Sequence, residues 1–247
     1  MKRSKALTAW LTGAGLWVGC LTVAAQSLPF TEVNQVVTGA CQKDSCANLT
    51  VRTAEFSDYP VFSHSLTRML LAMAQNDSGR PTGLATVAEL TSTFTANATP
   101  RTSEVLQANV LRSQRDLVVV DLVHYLYAGG AHGDTRSKYV NWFVQLDQLM
   151  TLDDMLQPGA RPAFERVLKQ AYLDWLAAQS AAIGDRDTFH QIWPFKVSDN
   201  VALLDDGLRV TYERYQIAPG SFGQPSLVIP YSKLVDILQP RVLSVAS

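Results

Sequence analysis

Residues 103–147 constrain the fold most, because they have the residue pattern of three consecutive strands. Residues 103–113 mix polar and apolar side chains, and residues 117–127 are rich in the β-branched and aromatic residues that favour strands. Residues 139–146 alternate apolar and polar side chains, and the glycines of residues 129–134 provide a turn before them. Strands joined this closely pair most simply with their sequence neighbours. The sequence therefore predicts an antiparallel meander.

Helical periodicity and shorter strands flank this meander. Apolar residues spaced three and four apart indicate helices, and Asp-Gly between apolar runs is typical of a hairpin. Helices are predicted over Leu66–Met73, residues 82–97, residues 161–178 and residues 231–238. Strands are predicted over residues 28–37, 47–55, 201–204, 208–212 and 227–229. The order of these elements predicts an α+β fold, with a largely antiparallel sheet and helices packed on it.

The first 25 residues have the pattern of an export signal. Lys2, Arg3 and Lys5 precede an uncharged apolar stretch that ends in the small residues Val23-Ala24-Ala25. This arrangement predicts a secretory signal peptide over residues 1–25, with an uncleaved membrane anchor as the weaker interpretation. A second route is lipidation at Cys20, because Trp17-Val18-Gly19-Cys20 resembles a bacterial lipobox. Both routes predict a periplasmic or cell-envelope location, lipid-anchored if Cys20 is modified.

Charge and cysteine usage agree with export. The chain has 21 Lys and Arg against 22 Asp and Glu, and loss of residues 1–25 would change the net charge from −1 to −4. An acidic chain argues against nucleic-acid binding through bulk charge. Cys41 and Cys46 would remain as an even pair, which predicts a disulfide in an oxidising compartment. A zinc site would need further soft ligands nearby, and a redox motif would have two intervening residues.

The segment from Tyr125 to Gly133, with the sequence YLYAGGAHG, is the most informative motif. Glycine adopts positive φ and allows close backbone approach, so the segment predicts a tight loop that holds His132. His132 is then either a general base oriented by Asp134 or a histidine whose ring nitrogens bind the loop backbone. The second interpretation is favoured, because no Ser or Cys nucleophile accompanies His132. The four histidines lack metal-ligand spacing, so no metal site is predicted.

Aromatic residues around this loop suggest a carbohydrate surface. Exposed aromatic rings stack on apolar faces, and a few polar groups then fix the orientation of the ligand. The predicted ligand-binding residues are Tyr125, Tyr127, Gly129, Gly130, His132 and Trp142.

Three segments together resemble a known group of domains. They are the glycine-histidine motif, the Asp/Gly hairpin of residues 204–212, and a closing segment with Tyr215-Gln-Ile-Ala-Pro219 and Ile229-Pro-Tyr231. They are similar to exported bacterial domains of unknown function that accompany the anti-sigma factor RsiV and the peptidoglycan deacetylase PdaC. The resemblance covers about residues 50 to 240.

The resemblance implies a non-catalytic binding or sensing module of the bacterial cell envelope. Its expected ligand is lysozyme or a peptidoglycan fragment, and no cofactor is expected. Contact with a membrane is expected only through a lipid on Cys20. The alternative function is a cell-envelope hydrolase that uses His132 with a nearby carboxylate. The expected organisation is a signal peptide over residues 1–25, an RsiV- and PdaC-like half over residues 26–130, and an RsiV-like half over residues 131–247, packed as one unit.

Overall fold

Two β-sheets and the helices packed on them build the molecule. The computed structural model describes residues 27–75, 83–114 and 116–246; the predicted signal peptide and Cys20 lie outside these residues. The strands are β1 (Thr31–Gln42), β2 (Ser45–Glu55), β3 (Ser103–Ser113), β4 (Leu117–Tyr127), β5 (Asp134–Phe143), β6 (Gln148–Leu149), β7 (Val201–Leu204), β8 (Gly207–Thr211) and β9 (Ser226–Ile229). The α-helices are α1 (Pro60–Gln75), α2 (Val87–Asn97), α3 (Leu152–Met155), α4 (Arg161–Ala178), α5 (Ser180–Ile183), α6 (Arg186–Ile192) and α7 (Pro240–Ala246).

The larger sheet has the strand order β1-β2-β3-β4-β5-β6, and the smaller has the order β7-β8-β9. All paired strands are antiparallel except β2 and β3, which are parallel and joined through α1 and α2. A parallel pair needs such a long crossover. The α+β class and the predicted meander are confirmed, although β5 begins at residue 134 instead of residue 139.

β4 is buried on both faces, which explains its continuous apolar sequence. Val118, Val120 and Leu122 belong to a core shared with α1 and α2. Leu117 and Val119, on the opposite face, belong to the core of the C-terminal part of the chain. The larger sheet therefore separates two cores and holds both together.

Trp142 lies in the core under α1 and not on a ligand surface. It is 1% exposed, and its ring stacks on Phe62 with centroids 4.0 Å apart. The edge of the Tyr59 ring completes the contact. Side chains alternate between the two faces along β5, and Trp142 lies on the face towards α1. Because it is buried there, it does not form the ligand contact that was predicted for it.

The predicted helix over residues 231–238 is wrong. A 3-10 turn at Tyr231–Lys233 takes its place, and the last helix, α7, begins only at Pro240. The backbone of this segment is used for pairing with the residues after α3, because Gln157 donates its N–H to the carbonyl of Ile237 and its side-chain amide to that of Leu238. Leu234 and Leu238 nevertheless stay buried, as their apolar spacing indicated. Of the helices in the described ranges, none is both long and apolar enough to cross a bilayer.

Two asparagine side chains join the sheets at the outer edge of β5. Asn141 donates to the carbonyl of Val201 (2.7 Å) and accepts from the N–H of Leu203 (2.9 Å). Asn200, which precedes β7, makes the matching pair of bonds to β5. Its side chain accepts from the N–H of Tyr139 (2.7 Å) and donates to the carbonyl of Ser137 (3.0 Å). Each side-chain amide thus pairs with two backbone groups, as a peptide group of a neighbouring strand would.

The predicted disulfide is confirmed. Cys41 and Cys46 face each other across the β1–β2 hairpin and are bonded. The division of the chain at residue 130 stays a prediction; it falls in the loop between β4 and β5, which pair along the length of β5.

Asn141→Ala should lower the free energy of unfolding by about 3 kcal/mol. The substitution leaves a backbone N–H and a carbonyl of β7 without partners in a site where Asn141 is 3% exposed, and each unsatisfied buried group costs about 1–3 kcal/mol. Urea denaturation measures the change. Asn34→Ala, on the exposed β1, is the control, and an equal loss in both variants would contradict a role of Asn141 in joining the sheets.

Candidate functional site

The glycine-histidine loop joins β4 to β5 and is exposed at its tip. Gly129 has φ +91°, a conformation that side chains rarely adopt. Gly133 lies against the Tyr125 ring so closely that a Cβ at this position would be 2.3 Å from the ring. Tyr125 and Tyr127 are half-buried, and Gly129 and Gly130 are exposed. The loop conformation therefore depends on glycine at two points, as the motif indicated.

His132 is exposed, and its hydrogen-bonding neighbours belong to this loop and to Arg214. Its Nδ1 lies 3.1 Å from the carbonyl oxygen of Gly133 and 3.3 Å from Nη1 of Arg214. Asp134 pairs instead with Arg136, at 3.6 Å. The structure thus does not bring the side chains of His132 and Asp134 together as a catalytic pair.

Arg214 connects the glycine-histidine loop to a second turn. Its Nη1 lies 3.4 Å from the carbonyl oxygen of Gly133, and its Nε donates to the carbonyl of Gly220 (3.1 Å). The same guanidinium lies 5.1 Å from the centre of the Tyr215 ring, within the range of a cation–π contact. One side chain therefore fixes two loops and an aromatic ring.

Tyr215 is exposed in a strained conformation. Its φ is +65°, which costs a non-glycine residue about 1–2 kcal/mol. Half of its surface is accessible, and it packs against Gly220, where a Cβ would be 2.4 Å from the phenol oxygen. The Trp193 ring lies next to it, with centroids 6.5 Å apart. We call His132, Trp193, Arg214 and Tyr215 the aromatic-basic surface.

A turn over residues 213–216 links this surface to a cleft. The N–H of Gln216 donates to the carbonyl of Glu213, and the N–H of Glu213 donates to Oε1 of Gln216. Glu213 and Gln216 line the cleft, whereas Arg214 and Tyr215 belong to the aromatic-basic surface. The two features are therefore neighbours.

The cleft has a volume of about 710 Å³ and lies along the outer edge of β5. This size is typical of small-molecule sites. Its apolar lining includes residues of α1, of β6 and directly after β6: Met69, Met73, Leu149 and Met150. Its polar lining includes Lys138, Asn200, Glu213 and Gln216.

Two carboxylates beside the cleft are poorly solvated. Burial raises the pKa of Glu213, although the N–H of Ser137 and the amide of Gln224 donate to it. Burial also raises the pKa of Asp121 to about 6, with Arg209 opposing the shift and Glu213 adding to it. One oxygen of Asp121 is buried without a hydrogen-bond partner in the described structure. Within the described ranges, no group of three or more His, Cys, Asp or Glu side chains could hold a metal ion.

The sequence predictions missed most of these residues. Arg214 and Tyr215 are more than 80 positions from the glycine-histidine loop, so no local spacing indicates that they meet His132. The sequence could have indicated Asp121 as a candidate site residue, because it is the only charged residue within the apolar run of β4.

Asp121→Asn should stabilise the folded protein above pH 6.5. Because the folded pKa of about 6 exceeds the ordinary 3.8, the folded state binds more protons between these values, and the free energy of unfolding falls as the pH rises through this window. The gain at pH 7.5 should be about 1–2 kcal/mol after allowance for solvent screening. At pH 4 the gain should vanish, since Asp121 is then largely protonated in the folded state.

Denaturation of wild type and variant at both pH values measures this difference. Asp44→Asn, in the exposed β1–β2 turn, is the matched control. A difference between the Asp121 variant and wild type that is the same at pH 4 and pH 7.5 would refute titration of Asp121.

Comparisons with known proteins place the chain in a family. A family model described as a protein of unknown function (DUF3298) matches residues 153–232. The crystal structure of a DUF3298 family protein from Pseudomonas aeruginosa PAO1 is 32% identical, with a TM-score of 0.78 over 88% of this chain and 97% of that one. A member of the family from Bacteroides fragilis NCTC 9343 shares the fold, at 17% identity and a TM-score of 0.65 over 89% of this chain and 98% of that one.

A curated relative is peptidoglycan-N-acetylmuramic acid deacetylase PdaC of Bacillus subtilis (strain 168), 24% identical over 151 residues. The match covers 61% of this chain and 32% of PdaC, so the chain spans about a third of that protein. The resemblance to the PdaC-associated domains is confirmed. The likeness to the Pseudomonas protein extends over nearly its whole length, and the chain belongs to the DUF3298 family.

Proposed function

We propose that this chain is an exported, non-catalytic binding module of the bacterial cell envelope and that its ligand is a peptidoglycan fragment. The observation that carries the proposal is the Tyr215 ring, which is held half-exposed at φ +65° beside Arg214. Strained, exposed residues persist where the surrounding structure fixes them, and they cluster at functional sites.

The chemistry of the aromatic-basic surface suits a sugar. The exposed half of the Tyr215 ring and the neighbouring Trp193 ring offer apolar area to the C–H face of a pyranose ring. Arg214 and His132 offer polar groups that can bind hydroxyl, acetamido or carboxylate oxygens at its rim. The predicted ligand residues Tyr125, Tyr127, Gly129 and Gly130 would act mainly by shaping the loop that carries His132.

Two observations support a cell-envelope location. The bonded Cys41–Cys46 pair is typical of proteins in oxidising compartments, and residues 1–25 have the pattern of a signal peptide. The similarity to PdaC, whose name describes action on peptidoglycan, suggests the ligand class.

The surroundings of His132 favour binding over catalysis. The groups nearest the His132 ring are a guanidinium and a backbone carbonyl, and among the described residues no carboxylate is hydrogen-bonded to it. The hydrolase alternative predicts cleavage of peptidoglycan that depends on His132. Chromatography of the binding mixtures would detect such cleavage.

Tyr215→Gly should weaken binding of the peptide-free peptidoglycan disaccharide about fivefold to tenfold. Loss of one aromatic stacking partner accounts for this range. Glycine adopts the φ of Tyr215 without strain, which offsets the loss of the ring contacts, so the variant should stay folded with a stability close to that of wild type. Isothermal titration calorimetry measures the affinity, and thermal unfolding measures the stability.

Leu173→Ala is the control, because Leu173 is an exposed apolar residue on α4. Equal disaccharide affinities of wild type and the Tyr215 variant would contradict a sugar site at Tyr215. Titration with lysozyme in parallel tests the other predicted ligand. If lysozyme binds and the disaccharide does not, the ligand is lysozyme and not a peptidoglycan fragment.

A further inference from the structure

We infer that the cleft beside the aromatic-basic surface binds a short peptide with a free carboxylate and that Lys138 is the counter-ion of this carboxylate. The inference rests on the proposed function, since it assigns the peptide part of the same ligand. The turn over residues 213–216 brings the two sites together, because it contributes side chains to both.

Lys138 differs from the other cation of the cleft. Arg136 pairs with Asp134. Lys138 is exposed and lies on the same face of β5 as the buried Val140. In the part of the chain that the structure describes, it has no ion pair and no hydrogen bond through its side chain. Its ammonium group is therefore available to an anion.

Each acidic residue of the cleft lining already has a partner within the protein. Asp153 and Asp199 both bind Arg161, at 2.8 Å and 2.5 Å. Glu213 accepts hydrogen bonds from the N–H of Ser137 and the side-chain amide of Gln224. Lys138 is thus the cation of the cleft lining that has no carboxylate partner among the described residues, so it can pair with a ligand carboxylate at its end of the cleft.

The remaining lining fits a peptide better than a second sugar. Met69 and Met73 are flexible apolar side chains that adapt to varied ligand side chains. Among the described residues, Nε2 of Gln216 has no hydrogen-bond partner, so it can donate to a ligand carbonyl. An aliphatic peptide with amide carbonyls and a terminal carboxylate matches apolar side chains, an amide donor and a single ammonium group.

Four probes separate the sources of the carboxylate: a muropeptide with a free peptide carboxylate, the same molecule with that carboxylate amidated, the peptide-free disaccharide, and the free peptide. The disaccharide retains the carboxylate of its muramic acid, so it shows whether that group uses Lys138. Wild type, Lys138→Glu, Lys138→Arg and the control Lys169→Glu are titrated with each probe. Lys169 is an exposed lysine of α4 that does not line the cleft.

Lys138→Glu should weaken binding of the free-carboxylate muropeptide at least tenfold, because it removes the charged donor to the carboxylate and puts a like charge in its place. Amidation of the peptide carboxylate should weaken binding to wild type by a similar factor. It should weaken binding to the Lys138→Glu variant far less. Lys138→Arg and Lys169→Glu should bind as wild type does. The disaccharide should bind all four proteins equally.

Each of the other outcomes contradicts the peptide site, the sugar site or both. If the disaccharide binds but the muropeptide binds no better, or if Lys138→Glu changes nothing, the peptide site is wrong while the proposed function stands. If the free peptide binds through Lys138 and the disaccharide does not bind, the peptide site stands and the sugar site at Tyr215 is wrong. If no probe binds, both are wrong.

Discussion

The side chains of Asn141 and Asn200 are the constraint on which the arrangement of the two sheets depends. β6 covers only the last two residues of β5, so the rest of the outer edge of β5 needs other partners. The Asn200 amide makes two hydrogen bonds to the backbone of this edge, and the Asn141 amide makes two to the backbone of β7. Because side-chain amides replace a paired strand, the edge stays satisfied while room remains beside it. The cleft occupies that room.

The junction between the sheets becomes more polar towards the cleft. The hydroxyl of Tyr139 lies 3.1 Å from that of Thr211, which in turn donates to Ser226. Beyond these groups lie Glu213 and Asp121, whose pKa values burial raises. Poorly solvated carboxylates reduce stability near neutral pH, and their persistence is typical of functional sites. The asparagine side chains thus fix the sheets, and the more polar end of their junction faces the cleft.

Much of the fold could be predicted from local patterns, because the side chains of β3 and α4 are buried at the period of their element, and β4 is apolar where both of its faces are buried. The segment over residues 231–238 has helical spacing as well, but pairing with Leu156 and Gln157 overrides it. Short helices such as α5 and α6 leave too few residues for a periodic signal. The site was harder to predict: the glycines and His132 form one local motif, whereas Arg214 reaches it only through the packing of the two sheets.

The contacts of Arg214 explain how a strained tyrosine can serve a binding surface. Arg214 binds backbone carbonyls of both loops and lies beside the Tyr215 ring, so these contacts offset the cost of the positive φ when the protein folds. A ligand that stacks on Tyr215 then meets a ring that is already ordered. Affinity is limited largely by the entropy lost in ordering side chains and loops. In the proposed function, a surface ordered in advance by one guanidinium favours recognition of the ligand.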